Sequence, residues 1–149
     1  MNDLFDLYQE IILDHNRRPR NYRLLEDHTY SADGYNPICG DAIKVFVKLD
    51  GDKIEDVSFQ GQGCAISKAS ASLMTVKLKG KTLAETEEEF KRFRGMLTED
   101  CDHEVDLLDF GDLASLSGVR RFPARIKCAT LAWHALEAAL QGKEQTTTE

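Results

Sequence analysis

The spacing of hydrophobic residues near the start of the chain predicts an amphipathic helix over residues 2–15. Apolar side chains recur there at the i, i+3, i+4, i+7 and i+8 positions that share one helical face. These positions are Leu4, Leu7, Tyr8, Ile11 and Ile12. Asn2 or Asp3 can cap this helix, and Pro19 marks its end.

A change to a period of two predicts a β-hairpin over residues 41–61. Branched residues occupy alternate positions from Ile43 to Leu49, and Asp50-Gly51 is a strong turn signal. In the return strand the apolar positions change from even to odd numbers, which predicts a bulge near Glu55. Residues 29–36 are expected to add a third strand.

The pattern becomes helical again over residues 65–78, and Gly80 ends this second helix. Thr82 and Glu85 have the spacing of a capping box, which opens a third helix that should bury Leu83, Phe90 and Phe93.

Pro123 suits the first position of a last helix, which should run to about Leu140. The tail, residues 143–149, is expected to be disordered. The pattern as a whole predicts an α+β fold in which a small three-stranded antiparallel sheet packs against several helices. Residues 1–142 would form this single domain.

Composition and charge narrow the function classes. The chain of 149 residues has a net charge of −7, which opposes binding to nucleic acid or to anionic membranes. The acidic N-terminus does not have the pattern of a signal peptide, so the predicted location is the cytoplasm. Four cysteines in such a chain are expected to be thiols or metal ligands rather than disulfides.

Three short segments contain candidate metal ligands. Cys39 and Asp41 flank Gly40 in an extended loop, Cys64 lies at a predicted helix N-terminus, and Cys128 lies in the early turns of the last helix. Three thiolates and a carboxylate form a suitable tetrahedral set for zinc, and soft sulfur ligands disfavour magnesium and calcium. On spacing alone, ordinary buried cysteines are an equally good interpretation.

Several motifs together resemble a known family. They are ILDHNRRPRN at 12–21, NPICGD at 36–41, GQGCAIS at 61–67 and FPARIKCATLAW at 122–133. With these motifs, the chain is similar to the SufU branch of the IscU/NifU N-terminal-domain family of iron–sulfur cluster assembly proteins. The resemblance covers most of the chain and implies a SufE/NifU-like fold with a metal site made by Cys39, Asp41, Cys64 and Cys128.

The resemblance implies one of two activities. IscU-type members are scaffolds on which an iron–sulfur cluster is assembled. SufU-type members bind zinc and act as sulfurtransferases, accepting persulfide sulfur from a pyridoxal-phosphate cysteine desulfurase. Two features favour the SufU side: Lys127 replaces the histidine that scaffolds have before their last cysteine, and residues 82–96 would belong to a SufU-type insertion.

The resemblance also implies residue roles and partners. Cys39 would be the sulfur acceptor, and Asp41, Cys64 and Cys128 would anchor Zn²⁺. Arg125 is a candidate for positioning the partner, with an ordinary surface residue as the alternative. The expected partners are a SufS-like desulfurase and downstream cluster assembly proteins, and the chain would be a monomer or weakly self-associating. An inert zinc-stabilised interaction domain is a third alternative.

Three further features have simpler interpretations. The arginines at 17, 18, 20 and 23 would form a protein-docking patch or a solvated surface. His15, at the end of the first helix, would be an imidazolium that complements the helix dipole. Cys101 and His103, in the acidic stretch 99–112, are expected to be surface residues rather than a zinc site.

Overall fold

The computed structural model describes residues 3–98 and 110–147. These residues form four α-helices, four strands and a 3-10 helix. In chain order they are α1 (Asp3–Arg17), β1 (Tyr30–Asn36), β2 (Asp41–Asp50), β3 (Lys53–Gln62), α2 (Ala65–Leu78), α3 (Leu83–Thr98), the 3-10 helix (Gly111–Arg121), α4 (Pro123–Leu140) and β4 (Gln145–Thr147).

The sheet has the strand order β3-β2-β1-β4. The first three strands are antiparallel neighbours, as the alternating pattern predicts. Lys48 lies opposite Asp56 and Leu49 opposite Ile54, so Glu55 is the extra residue of a bulge. The predicted hairpin, its bulge and the third strand are therefore confirmed.

The C-terminal tail differs from its prediction. Gln145–Thr147 forms a fourth strand that pairs in parallel with Asp33–Tyr35 of β1, so the prediction of a three-stranded sheet with a disordered tail is wrong for these residues. The cause lies in backbone geometry. After α4, the N–H groups of Gly142 and Lys143 bond back to Ala139 and Ala138, which turns the chain toward β1.

Helix α4 is largely buried and packs against the sheet and α3. Trp133 is almost fully buried, and its ring stacks on that of Phe93 at 4.6 Å. On the sheet side, a Cβ atom at Gly34 would lie only 3.1 Å from Leu131 and 3.2 Å from Ala135. Because α4 and β1 approach so closely, side chains at their ends have fixed relative positions.

The predicted start of α3 is confirmed. Thr82 N–H donates to Glu85 Oε1 at 3.0 Å, and Glu85 N–H donates to Thr82 Oγ1 at 3.1 Å. The helix buries Phe90 and Phe93 as predicted, whereas Leu83 is only partly buried.

His15 is buried between α1 and α2, and its interpretation as an imidazolium that complements the helix dipole is wrong. Its Nδ1 lies 2.7 Å from Ser72 Oγ, which also accepts a hydrogen bond from the Arg20 N–H at 2.8 Å. Burial lowers the pKa of His15, the Arg20 charge lowers it further, and Asp14 and Asp112 oppose the shift. The residue therefore joins two helices as a neutral imidazole at pH 7.

Two arginines of the proposed docking patch have partners within the protein. Arg20 pairs with Asp14 at 2.6 Å, and Arg23 pairs with Asp56 at 2.7 Å. These two ion pairs link the loop after α1 to α1 itself and to β3. Docking by the other two arginines, at 17 and 18, stays a prediction.

Within the described ranges, no helix has the length and apolar content to cross a bilayer. Cys101, His103 and most of the acidic stretch lie outside the described residues.

The burial of His15 predicts a pH-dependent stability. The unfolded chain binds a proton at this histidine with a pKa near 6.5, whereas the folded chain resists protonation. The free energy of unfolding should therefore fall as the pH is lowered through this value. Urea titrations at several pH values should show a smaller fall for His15→Gln.

His134 provides the control, since burial also lowers its pKa. His134→Gln should remove the part of the pH dependence of the unfolding free energy that is due to His134. The part that is due to His15 should remain. Superimposable pH profiles for His15→Gln and the unsubstituted chain would contradict the prediction.

Candidate metal centre

The turn between β1 and β2 brings the first two candidate ligands to the end of the sheet. Asn36 and Asp41 are paired across the two strands, so residues 37–40 form a tight loop. Gly40 has a φ of +71°, a value that glycine adopts without strain. Cys39 is exposed on this loop, whereas Asp41 is buried at the first position of β2.

The third candidate lies beside Asp41 because of the hairpin register. Ala42 pairs with Gln62, so the end of β3 lies next to the start of β2. Cys64 follows as the N-cap of α2, and its backbone N–H donates to Asp41 Oδ1 at 2.8 Å. The carboxylate thus lies at the positive end of the α2 dipole, which stabilises its charge.

Cys128 reaches the same place from α4. It is fully buried in the second turn of the helix. Its Sγ lies 3.2 Å from Cys39 Sγ and 3.6 Å from the carbonyl oxygen of Ala124. Two cysteines separated by most of the chain therefore meet at the end of the sheet.

The ligand atoms of Cys39, Asp41 and Cys128 all lie within 4.8 Å of one another. The structure therefore brings these three predicted residues together. The Cys64 thiol is not part of this group of three; its Sγ lies 3.8 Å from Ser67 Oγ, while its backbone binds Asp41. Its role as a fourth ligand stays a prediction.

The close packing of these groups changes the pKa of the Cys128 thiol. Burial raises its pKa, and the neighbouring Cys39, Cys64 and Asp41 raise it further. In the absence of a cation the group is therefore protonated at neutral pH. A bound cation would have to displace this proton, which is the usual behaviour of cysteine ligands.

Asn36 is a component of the site that sequence reasoning missed. Its side chain is fully buried, and Nδ2 donates to Asp41 Oδ2 at 3.2 Å and to Cys128 Sγ at 3.4 Å. The only sequence signal was its place as the first residue of the NPICGD motif. Nothing in the hydrophobic pattern indicates that its amide is turned inward.

Because Gly63 has no side chain, the Asp41 carboxylate can lie next to its backbone. A Cβ atom at this position would lie 2.6 Å from Asp41 Oδ1 and 2.4 Å from Ser67 Oγ. Real Cβ atoms do not approach other atoms so closely, and therefore only glycine allows this arrangement of the carboxylate.

The two basic residues before Cys128 differ in position. Arg125 is exposed, one helical turn before the cysteine. Lys127 is half-buried and lines a cavity of about 320 Å³ together with Arg94 and His134. No candidate ligand lines that cavity.

The donor set fits zinc. Thiolates from Cys39 and Cys128 and a carboxylate from Asp41 are ligands that tetrahedral zinc sites use, and Cys64 offers a third thiol beside them. A predominance of sulfur disfavours hard cations such as magnesium. The hydrogen bonds from Asn36 and Cys64 orient the carboxylate, as outer partners do in protein metal sites.

Comparison with known proteins agrees with this fold. Residues 7–148 match the NifU-like N-terminal domain, and the chain belongs to this family. A relative named zinc-dependent sulfurtransferase SufU, from Bacillus subtilis strain 168, is 46% identical over 143 residues and 95% of both chains.

Other relatives have scaffold names. One called iron–sulfur cluster assembly scaffold protein IscU, from Streptococcus pyogenes serotype M1, is 39% identical over 95% of this chain and 87% of its own. A solved structure described as a cluster assembly scaffold for the SUF system, from Fervidobacterium islandicum AW-1, is 36% identical with a TM-score of 0.79. It covers 88% of this chain and 94% of its own. The predicted SufU/IscU-like family and α+β fold are therefore confirmed.

Gly63 provides a test of the orientation of Asp41. Gly63→Ala should displace the carboxylate and weaken zinc binding by about 10–100-fold, the range seen when partners of metal ligands are lost. Competition with a chromophoric chelator measures the affinity. Gly118→Ala is the matched control, because nothing lies within 4 Å of a Cβ atom there. Equal affinities for the two variants would contradict the assignment.

Proposed function

We propose that this protein is a zinc-dependent sulfurtransferase that accepts sulfane sulfur from a pyridoxal-phosphate cysteine desulfurase and passes it to iron–sulfur cluster assembly in the cytoplasm. The observation that supports this best is the exposed thiol of Cys39 beside the buried Asp41 and Cys128. The sulfurtransferase name of the B. subtilis relative supports the same activity.

Four residues would hold the zinc ion: Cys39, Asp41, Cys64 and Cys128. When bound, zinc would keep cysteine thiols deprotonated at neutral pH. Asp41 is prepared for this role, because Asn36 and the Cys64 N–H each bind one of its oxygens. Excess negative charge would be offset in part by cations such as Arg125.

Cys39 is suited to be the acceptor because it is the accessible member of the set. It is exposed on a loop next to Gly40, and its side chain can move without disturbing a helix or strand. Cys128 is fully buried in α4, and the backbone of Cys64 is bound to Asp41. Cys39 can therefore leave the ligand set for a partner while the other three residues stay in place.

The transfer itself is a thiol–persulfide exchange. The Cys39 thiolate attacks the outer sulfur of the persulfide on the donor cysteine, and the donor S–S bond breaks as the new S–S bond forms. The donor cysteine leaves as a thiolate, and Cys39 retains the outer sulfur with its proton. No oxidant or reductant is consumed in this exchange.

A SufS-like desulfurase would approach the exposed side of this loop. Ile38 is 63% exposed beside Cys39, and Phe122 is 61% exposed just before α4. Large apolar side chains with this exposure are typical of protein contacts. Arg125, exposed one helical turn before Cys128, is placed to contact an acidic group of the same partner.

An iron–sulfur cluster scaffold is the second candidate, and the S. pyogenes relative's name favours it. The same thiols could hold a cluster as cargo. Lys127 favours the transferase, because this residue stands where scaffolds have a histidine before their last cysteine.

The acceptor role predicts the behaviour of Cys39→Ser. This variant should lose stimulation of desulfurase turnover, which is measured as alanine formed from cysteine, since a hydroxyl does not form a persulfide. Cys101→Ser, which changes a cysteine outside the four motifs, should retain full stimulation. Normal stimulation by Cys39→Ser with zinc still bound would remove Cys39 from the acceptor role.

Metal content distinguishes the two candidate functions. After aerobic purification, the transferase should contain about one zinc per chain, tightly held as in other sulfur-rich sites. Elemental analysis measures this content. A brown protein with iron and inorganic sulfide, which passes an intact cluster to an apo-acceptor, would favour the scaffold. If zinc is bound but no desulfurase responds, the chain would be an interaction domain instead.

A further inference from the structure

The buried amide of Asn36 links two candidate ligands that come from different parts of the fold. Asp41 begins β2, and Cys128 lies in α4. An amide nitrogen has two hydrogens, and here Asp41 Oδ2 and Cys128 Sγ accept them. Asn36 itself ends β1, which packs closely against α4 at Gly34.

We propose that Asn36 is a positioning residue that fixes Asp41 and Cys128 and thereby restricts sulfur acceptance to Cys39. The proposal rests on the proposed function and adds the reason why only one of two adjacent thiols receives the sulfur. Those two sulfur atoms are 3.2 Å apart, so distance alone does not keep the sulfur on Cys39.

The carboxylate is fixed from both sides. Asn36 binds Oδ2, and the Cys64 N–H binds Oδ1 at 2.8 Å. Gly63 lies so close that a Cβ atom there would collide with Oδ1. Rotation of the Asp41 side chain would break at least one of these hydrogen bonds inside a buried site, which is costly.

Cys128 is held in a comparable way. Its Sγ accepts a hydrogen bond from Asn36 and lies 3.6 Å from the Ala124 carbonyl. Cys128 is therefore held in a buried position by the Asn36 amide and by α4, whereas Cys39 is an exposed thiol on a loop.

Removal of the amide would free this second thiol. The Cys128 thiolate could then attack the outer sulfur of a persulfide on Cys39. The S–S bond at Cys39 would break, a new one would form at Cys128, and Cys39 would leave as a thiolate. Sulfur would end in a buried position where an acceptor protein cannot reach it.

Asn36→Leu tests the proposal, because leucine keeps the branched shape of the side chain without a hydrogen-bond donor. The variant is loaded with sulfur by a cysteine desulfurase and free cysteine. Alkylation, digestion and mass spectrometry then give the ratio of sulfur on Cys128 to sulfur on Cys39. We expect this ratio to rise at least tenfold and zinc affinity to fall about 10–100-fold. Asn36→Ala serves the same purpose if leucine prevents folding.

Ser72→Ala is the matched control. It removes a buried hydrogen-bonding side chain that contacts His15 and Arg20 rather than the candidate ligands. Its sulfur ratio and zinc affinity should equal those of the unsubstituted chain. A general loss of packing in Asn36→Leu would lower stability without moving sulfur from one cysteine to another.

The outcomes separate the two proposals. Sulfur that stays on Cys39 in a folded Asn36→Leu or Asn36→Ala variant overturns the role of Asn36 and leaves the proposed function intact. Sulfur that appears on no cysteine of the unsubstituted chain overturns the proposed function and, with it, the selectivity assigned to Asn36.

Discussion

The carboxylate of Asp41 is the point on which the arrangement of the site depends. It accepts hydrogen bonds from the end of β1 through Asn36 and from the start of α2 through the Cys64 N–H. Asn36 extends the same network to Cys128 in α4. One buried charge thus joins the ends of several elements, and its burial is tolerated because both oxygens have donors.

The rest of the fold makes this meeting possible. The hairpin register places Asp41 beside the start of α2. The close contact of β1 with α4 determines how near Cys128 lies to the end of the sheet. Only Cys39 lies on a connection rather than at or within a regular element. A rigid set of ligands with one accessible member is what a site needs if it is to give up one ligand and keep its geometry.

Local patterns predicted much of this fold. The bulge at Glu55 follows from a change in the parity of apolar positions, and the start of α3 follows from the Thr82–Glu85 pair. Both signals lie within a few residues of the structure that they specify. Cys128 is widely separated in the sequence from Cys39 and Asp41, so no local signal relates them. Only the resemblance to the family identified the three residues as one group.

The features that sequence reasoning missed depend on contacts between distant polar groups. The inward amide of Asn36, the His15–Ser72 contact and the pairing of β4 each join residues that no hydrophobic period relates. A polar residue has the same place in a binary pattern whether it faces solvent or a buried partner. Such contacts can be identified only from the three-dimensional structure.

The short strand β4 has a consequence for the sheet as a whole. β1 would otherwise expose a row of unpaired N–H and C=O groups, which are a template for the strands of other molecules. Gln145–Thr147 covers that row beside Asp33–Tyr35, immediately before Asn36. β4 is then itself the edge of the sheet, but an edge strand of three residues offers little backbone for pairing with another molecule. It also supports the strand that ends at the candidate metal centre.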